Sequence, residues 1–167
     1  MRMSLSCFVL GLGFLALMAS VPAMGQSDLP RFAGGVYGSI GGEPVPLLTV
    51  SGGAYVEAAR FRFRPGVEVR GTSGELEGSA VLAGPRVTRP FLDGNVYAVG
   101  LLGPHHVWNA AGTKQISGIT SEIAFGVERN LGPYVRWRMV ELNVGFFSGS
   151  SGLQALTVST GLVLHFH

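Results

Sequence analysis

The sequence of 167 residues contains a single cysteine, Cys7, so it offers neither a disulfide framework nor a thiolate metal site. Charged residues make up only 13% of the chain, and the twelve Lys and Arg nearly balance the ten Asp and Glu. Because of this balance, the composition does not indicate a positively charged surface of the kind that binds nucleic acid. Aspartate is scarcer still, because only Asp28 and Asp93 occur. A Ser-His-Asp constellation is therefore poorly supported, and we expect no catalysis.

Several catalytic and ligand-binding motifs are absent as well. The sequence has no Gly-x-Ser-x-Gly elbow, no His-Glu-x-x-His pair and no phosphate-binding glycine loop. His105 and His106 are adjacent, so on a strand they point to opposite faces and cannot easily chelate one metal ion. His165 and His167 share a face, but two imidazoles form an incomplete zinc site. We therefore predict no metal and no cofactor.

The amino terminus has the pattern of a secretory signal peptide. An arginine near the start is followed by a short apolar run and then by small residues. We predict a signal peptide over residues 1–25, cleaved after Gly25 or, as the alternative, after Ala23. The apolar run is too short for a comfortable transmembrane helix. Residues 26–167 are then expected to form one domain.

That domain is rich in glycine, and the chain contains 26 glycines, about twice the usual share. Its segments alternate apolar residues with small or polar ones, which is typical of strands. The alternation is clearest near the carboxyl terminus, where the apolar positions are Leu156, Val158, Leu162, Leu164 and Phe166. A strand crosses a bilayer with about 9–11 residues, so this segment is long enough to span one.

The whole pattern predicts an all-β fold, an eight-stranded antiparallel up-and-down transmembrane β-barrel. The strands are expected at 31–40, 48–59, 67–71, 77–88, 95–103, 116–128, 134–146 and within 153–167. We expect a turn centred on Asp93-Gly94 between strands four and five, and the longest loop at 104–114. The turns after strands two, four and six would face the periplasm, and the other connections would face outside.

Ionisable residues of the clearly alternating strands fall on one face. They are Glu57, Glu68, Arg70, Arg86, Glu122 and Glu141. A soluble barrel would expose this face, whereas a membrane barrel turns it inward. Eight strands enclose a space just wide enough for side chains, so we expect a closed lumen filled by a polar network of these residues. The alternative function of such a network is an ion or proton path.

In strand seven, the sequence does not show which residues face inward throughout. If the alternation that turns Glu141 inward continues toward the start of the strand, Arg136 and Arg138 face lipid. Either these arginines snorkel to the headgroups, or a β-bulge near Met139 switches the phase. The sequence alone leaves both alternatives open.

Aromatic residues are expected to form two girdles at the membrane interfaces. The candidates are Trp108, Trp137, Tyr97, Tyr134 and Phe166. The segment 60–66 adds three arginines interleaved with phenylalanines, a composition that suits the level of the lipid headgroups.

Gly84-Pro85-Arg86, Glu68-Val69-Arg70 and the last strand with Leu162, Leu164 and Phe166 resemble the small outer-membrane β-barrel (porin-like) proteins of Gram-negative bacteria, in particular the OmpA-membrane-domain and OmpX type. The resemblance implies a location in the bacterial outer membrane, contact with outer-membrane lipid, insertion by the barrel-assembly machinery through the terminal strand, and a monomer. The family usually ends on the terminal aromatic residue, whereas here His167 follows it.

The expected function is a structural or interaction role without catalysis. A small diffusion pore is the alternative, and a soluble periplasmic β-barrel that binds an apolar ligand is a further hypothesis. A lipid-modifying enzyme would need His106 together with Ser117 or Ser121, and nothing in the spacing favours that pairing.

Overall fold

The computed structural model describes residues 32–42, 48–74, 78–108, 115–147 and 155–166. These form eight strands: β1 (Phe32–Gly42), β2 (Leu48–Ala58), β3 (Arg64–Gly74), β4 (Gly78–Phe91), β5 (Gly94–Trp108), β6 (Gln115–Asn130), β7 (Val135–Phe147) and β8 (Ala155–Phe166). Each strand pairs antiparallel with the next, and β1 pairs with β8 to close the barrel. The predicted eight-stranded antiparallel up-and-down barrel is confirmed. The predicted signal peptide lies outside the described residues.

The two ends of the barrel are named here by their connections. The turn end carries the β2–β3, β4–β5 and β6–β7 turns, together with the start of β1 and the end of β8. The loop end is the opposite one. Within the described part of the chain, no helix is long and apolar enough to cross a membrane.

β3 and β5 exceed their predicted lengths by the most, because proline and glycine do not end them. β3 begins at Arg64 and includes Pro65, which faces outward. β5 continues past Gly103 to Trp108, so the predicted loop at 104–114 is wrong over its first five residues. The ladder between β5 and β4 is interrupted at Gly100 and Leu101 and again at Gly103 and Pro104, and it resumes at His105. Pro104 has no N–H to donate.

The β4–β5 connection is a two-residue turn, Leu92–Asp93, with Leu92 at a φ of 49°. The predicted centre at Asp93-Gly94 is therefore wrong by one residue, since Gly94 is the first residue of β5 and pairs with Phe91. Glycine is required at position 94 by a close approach of the neighbouring strand. A Cβ there would lie 1.8 Å from the carbonyl oxygen of Glu128 on β6.

The barrel is apolar outside and polar inside. On β8 the outward side chains of Leu162, Leu164 and Phe166 are 55%, 60% and 45% exposed. The residues between them, Val163 and His165, are buried in the interior. The other strands repeat this alternation, so large aliphatic and aromatic side chains cover the outer wall. This arrangement is the inverse of a soluble barrel and is the one expected when the surrounding solvent is hydrocarbon.

A bulge in β7 resolves the ambiguous phase of that strand. The register shifts against β6 at Val127/Glu128 and against β8 between Arg138 and Glu141. Met139 and Val140 are consecutive, yet both face outward, with 38% and 40% exposure. Because the extra residue switches the phase, Arg136 and Arg138 point into the lumen. The bulge is the correct alternative, and the arginines do not snorkel.

Three tyrosines fill the lumen, each directly opposite a glycine of the neighbouring strand. The register pairs are Tyr37–Gly53, Tyr55–Gly35 and Tyr97–Gly126. A Cβ on each glycine would lie only 2.3 to 2.9 Å from the tyrosine, so only glycine leaves room for the ring against the wall. The prediction that Tyr97 belongs to an aromatic girdle is therefore wrong, since it is 4% exposed and internal.

Of the other predicted girdle residues, three lie on the outer surface. Trp137, Tyr134 and Phe166 are 39%, 69% and 45% exposed. All three are closer to the turn end than to the loop end, since Tyr134 is in the β6–β7 turn and Phe166 ends β8. The side chain of Trp108 lies outside what the structure describes.

Candidate functional site: the charged lumen

All six predicted lumen residues point into the barrel. Five of them are 0–1% exposed as whole residues, and the side chain of Glu122 is 12% exposed. They arise from β2, β3, β4, β6 and β7, whose inward positions converge because side chains alternate along each strand. Glu57, Glu68, Arg70, Arg86, Glu122 and Glu141 are therefore brought into one interior space.

Four further charged residues join them that were not among the predicted site residues: Arg64, Glu128, Arg136 and Arg138. The described lumen then holds five glutamates and five arginines, so its formal charges cancel. The sequence could have assigned Glu128 to the lumen, because it lies an even number of positions from Glu122 on the same strand. Arg64 was assigned to a turn. The bulge made it impossible to tell from the sequence that Arg136 and Arg138 point inward.

Six of these side chains form a closed ring of alternating charge, which we call the charged ring. In order around the ring they are Arg70, Glu68, Arg86, Glu128, Arg138 and Glu141, which returns to Arg70. The six N–O distances range from 2.7 to 3.2 Å. Each member is at most 1% exposed, so each charge is held between two opposite charges and away from water.

Arg70 is the member with the most contacts. Besides its two ring partners, it donates to Asn143 Oδ1 at 2.7 Å and forms an ion pair with Glu122. Its Nε also donates to the Tyr37 hydroxyl at 2.9 Å, and that hydroxyl donates to Glu68 Oε1 at 2.5 Å. Arg70 thus connects the charged ring to β1, β6 and β7.

Aromatic rings cover the other two guanidinium groups. Arg86 lies between Tyr55 and Tyr97, 4.0 Å from each ring centroid. Arg138 lies 3.7 Å from the centroid of Tyr37. Tyr97 in turn donates to Glu141 Oε2 at 2.5 Å. Stacking on aromatic faces stabilises guanidinium groups that have lost their water, so the tyrosines and the charged ring support one another.

Toward the turn end, the network continues through weaker contacts. Arg64 lies 3.4 Å from Glu57, and Arg136 Nε donates to Asn130 Oδ1 at 3.0 Å. Arg136 is also 3.9 Å from Glu128, a member of the charged ring. Polar side chains therefore also occupy the lumen between the charged ring and the turn end.

Toward the loop end, the lumen opens into a small cleft above Arg70 and Glu122. Its wall carries hydroxyl groups from four strands, β2, β3, β6 and β8: Thr49, Ser51, Thr72, Thr120, Thr157 and Ser159. Its volume is about 40 Å³, room for only a few water molecules. Since the charged ring beneath is 0–1% exposed, the cleft ends there.

The histidines occupy separate positions. His105 is buried in the lumen and His106 is exposed on the outer face, as expected for adjacent strand residues. His106 Nδ1 lies 2.8 Å from Ser117 Oγ on the paired strand. His165 is buried at the turn end, and His167 lies outside the described residues. Within the described residues, no group of three His, Cys, Asp or Glu side chains is placed to hold a metal ion.

A closed antiparallel barrel with an apolar wall and a charged interior has the architecture of the transmembrane β-barrels. No protein-family model and no curated protein matches this sequence. The chain is similar to a solved barrel from the de novo design of transmembrane β-barrels, with a TM-score of 0.51 and 15% identity over 84% of this chain and 100% of that one. It is also similar to Neisserial surface protein A, with a TM-score of 0.49 and 11% identity over 81% and 96% of the two chains. At such low identity, the likeness to the designed barrel concerns the fold alone.

Proposed function

We propose that this chain is an integral protein of the bacterial outer membrane, with a lumen closed by side chains and a structural or interaction role without catalysis. The charged ring is the observation that carries the proposal. It places the ionic side chains of the spanning region on the inside and pairs them there, while the wall outside them is apolar. A charge on the lipid side would cost about 2–4 kcal/mol at the midplane, so this distribution suits hydrocarbon.

The remaining parts of the proposal follow from the same surface. Outer-membrane lipid covers the wall, and the barrel-assembly machinery inserts the chain through the terminal strand with Leu162, Leu164 and Phe166. The predicted signal peptide delivers the chain across the inner membrane, with the turn end in the periplasm. The barrel is a monomer, because closure leaves no strand edge to pair with a second chain. The OmpA-membrane-domain and OmpX type is the group of barrels it resembles in sequence pattern.

Membrane insertion is tested by fractionation and by gel mobility. The mature protein should sediment with outer membranes and require detergent for extraction. In detergent, an unheated sample should migrate differently from a heated one, because a folded barrel stays compact until it is denatured. Recovery of the protein in the aqueous periplasmic extract would reject the membrane proposal and favour the soluble barrel that binds an apolar ligand.

The closed lumen is tested by conductance in a planar lipid bilayer. We expect no discrete channel steps, because the charged ring fills the cross-section below the loop-end cleft. Regular steps from the purified barrel would reject the closed lumen and favour the small diffusion pore. The fractionation result would be unaffected, so the two parts of the proposal fail separately.

A further inference from the structure

A second set of arginines lies outside the lumen, all at the turn end. Arg60 and Arg62 lie in the β2–β3 turn, Arg89 lies near the end of β4, and Arg129 lies near the end of β6. All four are exposed. We call them the arginine rim.

Unlike the arginines of the lumen, those of the arginine rim have no carboxylate partner among the described residues. Asp93 is the only acidic residue in the three turns of this end. The rim therefore carries a net positive charge that the described residues do not neutralise. A surface of this kind attracts anions.

The rim is interleaved with exposed aromatic and aliphatic side chains. Five of them are 55–69% exposed: Phe61, Phe63, Phe91, Leu131 and Tyr134. The Arg89 guanidinium lies 5.4 Å from the ring centroid of Phe63. A partner that binds this surface must therefore present anionic groups to the arginines and an adjacent apolar region to the aromatic and aliphatic side chains.

The rim also continues the apolar wall. On β4 the outward row Val81, Ala83, Pro85 and Val87 leads directly to Arg89 and Phe91. On β6 the outward side chains of Ile123 and Phe125 lead to Arg129 in the same way. The cations thus lie where the hydrocarbon-facing wall ends, at the depth of lipid headgroups.

The connections between strands at the loop end have the opposite balance of charge in the sequence. Those between β1 and β2 and between β3 and β4 contain Glu43, Glu75 and Glu77, and the connection between β5 and β6 contains one cation, Lys114. The described turns of the other end contain more basic than acidic residues. Aromatic anchoring alone requires no such difference between the two ends.

We propose that the arginine rim binds the headgroups of anionic phospholipids, such as phosphatidylglycerol, in the leaflet that surrounds the turn end. Arginine holds a phosphate through two parallel N–H donors, and the neighbouring aromatic rings lie at the boundary between headgroup and acyl chain. A single lipid molecule supplies both an anionic headgroup for the arginines and apolar acyl chains for the neighbouring side chains. This inference rests on the proposed membrane location and specifies which lipid the barrel selects.

The test uses the full mature chain, refolded into phosphatidylcholine vesicles that contain a trace of spin-labelled lipid. The motionally restricted fraction of the label measures lipid association with the barrel. We expect spin-labelled phosphatidylglycerol to associate about five-fold more strongly than spin-labelled phosphatidylcholine, the effect of about one guanidinium contact near the membrane surface. The preference should weaken in ~1 M salt, where charges are screened beyond about 3 Å.

Variants identify the rim as the origin of the preference. The double variant Arg89→Gln/Arg129→Gln should show a clearly weaker preference, because only Arg60 and Arg62 of the rim remain, and Arg89→Lys/Arg129→Lys should keep more of the preference because the charge remains. Lys114→Gln removes one positive charge from the other end and should leave the preference unchanged. The heat-dependent gel shift establishes that each variant is folded.

Different outcomes overturn different proposals. An inserted wild-type barrel without lipid preference, or a double Gln variant that keeps the full preference, overturns the lipid-binding rim alone. A wild-type chain that does not insert into the vesicles overturns the membrane location and the rim together.

Discussion

The charged ring and the arginine rim place the same type of residue in two opposite environments, one buried and one exposed. Arg138 is 0% exposed, is bonded to two glutamates and lies against Tyr37. Arg129 is exposed and has no carboxylate partner among the described residues. Burial removes water from a charge, so the protein must replace it with opposite charges, whereas an arginine at the surface keeps its water. The inner arginines therefore hold the fold together, and the outer ones are free to bind something else.

The largest expected effect is loss of an arginine from the charged ring. Arg138→Met should lower the free energy of unfolding by about 3–5 kcal/mol, because Glu128 and Glu141 each lose one of their partners in a dry interior. Urea titration in lipid vesicles, read from the fraction that keeps the folded gel mobility, measures the change. A loss below about 1 kcal/mol would mean that water reaches the ring.

A smaller loss is expected at the edge of the network. Glu122 lies beside the cleft, and among the described residues it is bonded only to Arg70, which keeps its other partners. Glu122→Met should lower the free energy of unfolding by about 1.5–3 kcal/mol, because methionine cannot accept the hydrogen bond from Arg70, and a bond to a charged group contributes about that much. The same urea titration applies, with Arg138→Met as the reference. If Glu122→Met proved the more harmful variant, the charged ring would not be the centre of the network.

The inner and outer faces should also differ at glycine. At Gly126 a Cβ would lie 2.3 Å from Tyr97, whose ring is held by Arg86 and Glu141 and cannot withdraw. Gly126→Ala should therefore cost about 1–3 kcal/mol through overpacking. At Gly100, a Cβ would meet no atom within 4 Å, so Gly100→Ala is the matched control and should fold normally. Equal stability of the two variants would contradict the packing of Tyr97 against the wall.

The smallest expected effect on stability is at the arginine rim. Arg89→Gln should change the free energy of unfolding by no more than about 1 kcal/mol, because Arg89 has no carboxylate partner among the described residues and a contact such as the one with the ring of Phe63 is worth about 0.5–1 kcal/mol at an exposed site. Urea titration beside Arg138→Met would give the comparison directly. A large loss for Arg89→Gln would show that the rim stabilises the barrel itself, and the contrast between the two sets of arginines would disappear.

The fold could be predicted because a period of two is a local property of the chain. Glu57 and Glu68 each lie between two aliphatic residues, so their common face is visible without coordinates. Tyr97 could not be placed in this way, because an aromatic residue is compatible with either side. Its position depends on Gly126, which is 29 positions away in sequence but directly opposite in the sheet.

One undecided alternative and one error arose from single residues that interrupt the local pattern. The extra residue at Met139 and Val140 hides the inward direction of Arg138, which supplies a third of the positive charges in the ring. Gly94 has the sequence signature of a turn, but its role is to let the backbone of β6 approach. In both cases the deciding contact lies on another strand, so a reading along the chain could not find it.

The charged ring has a consequence for the order of assembly. Its members come from β3, β4, β6 and β7, and its bonds join residues as far apart as Arg70 and Glu141, 71 positions along the chain. A partly formed sheet would turn unpaired guanidinium and carboxylate groups toward hydrocarbon, where each is costly. If the chain enters a bilayer as proposed, we therefore expect the sheet to close as it inserts, so that the charges of the ring are paired before they meet hydrocarbon.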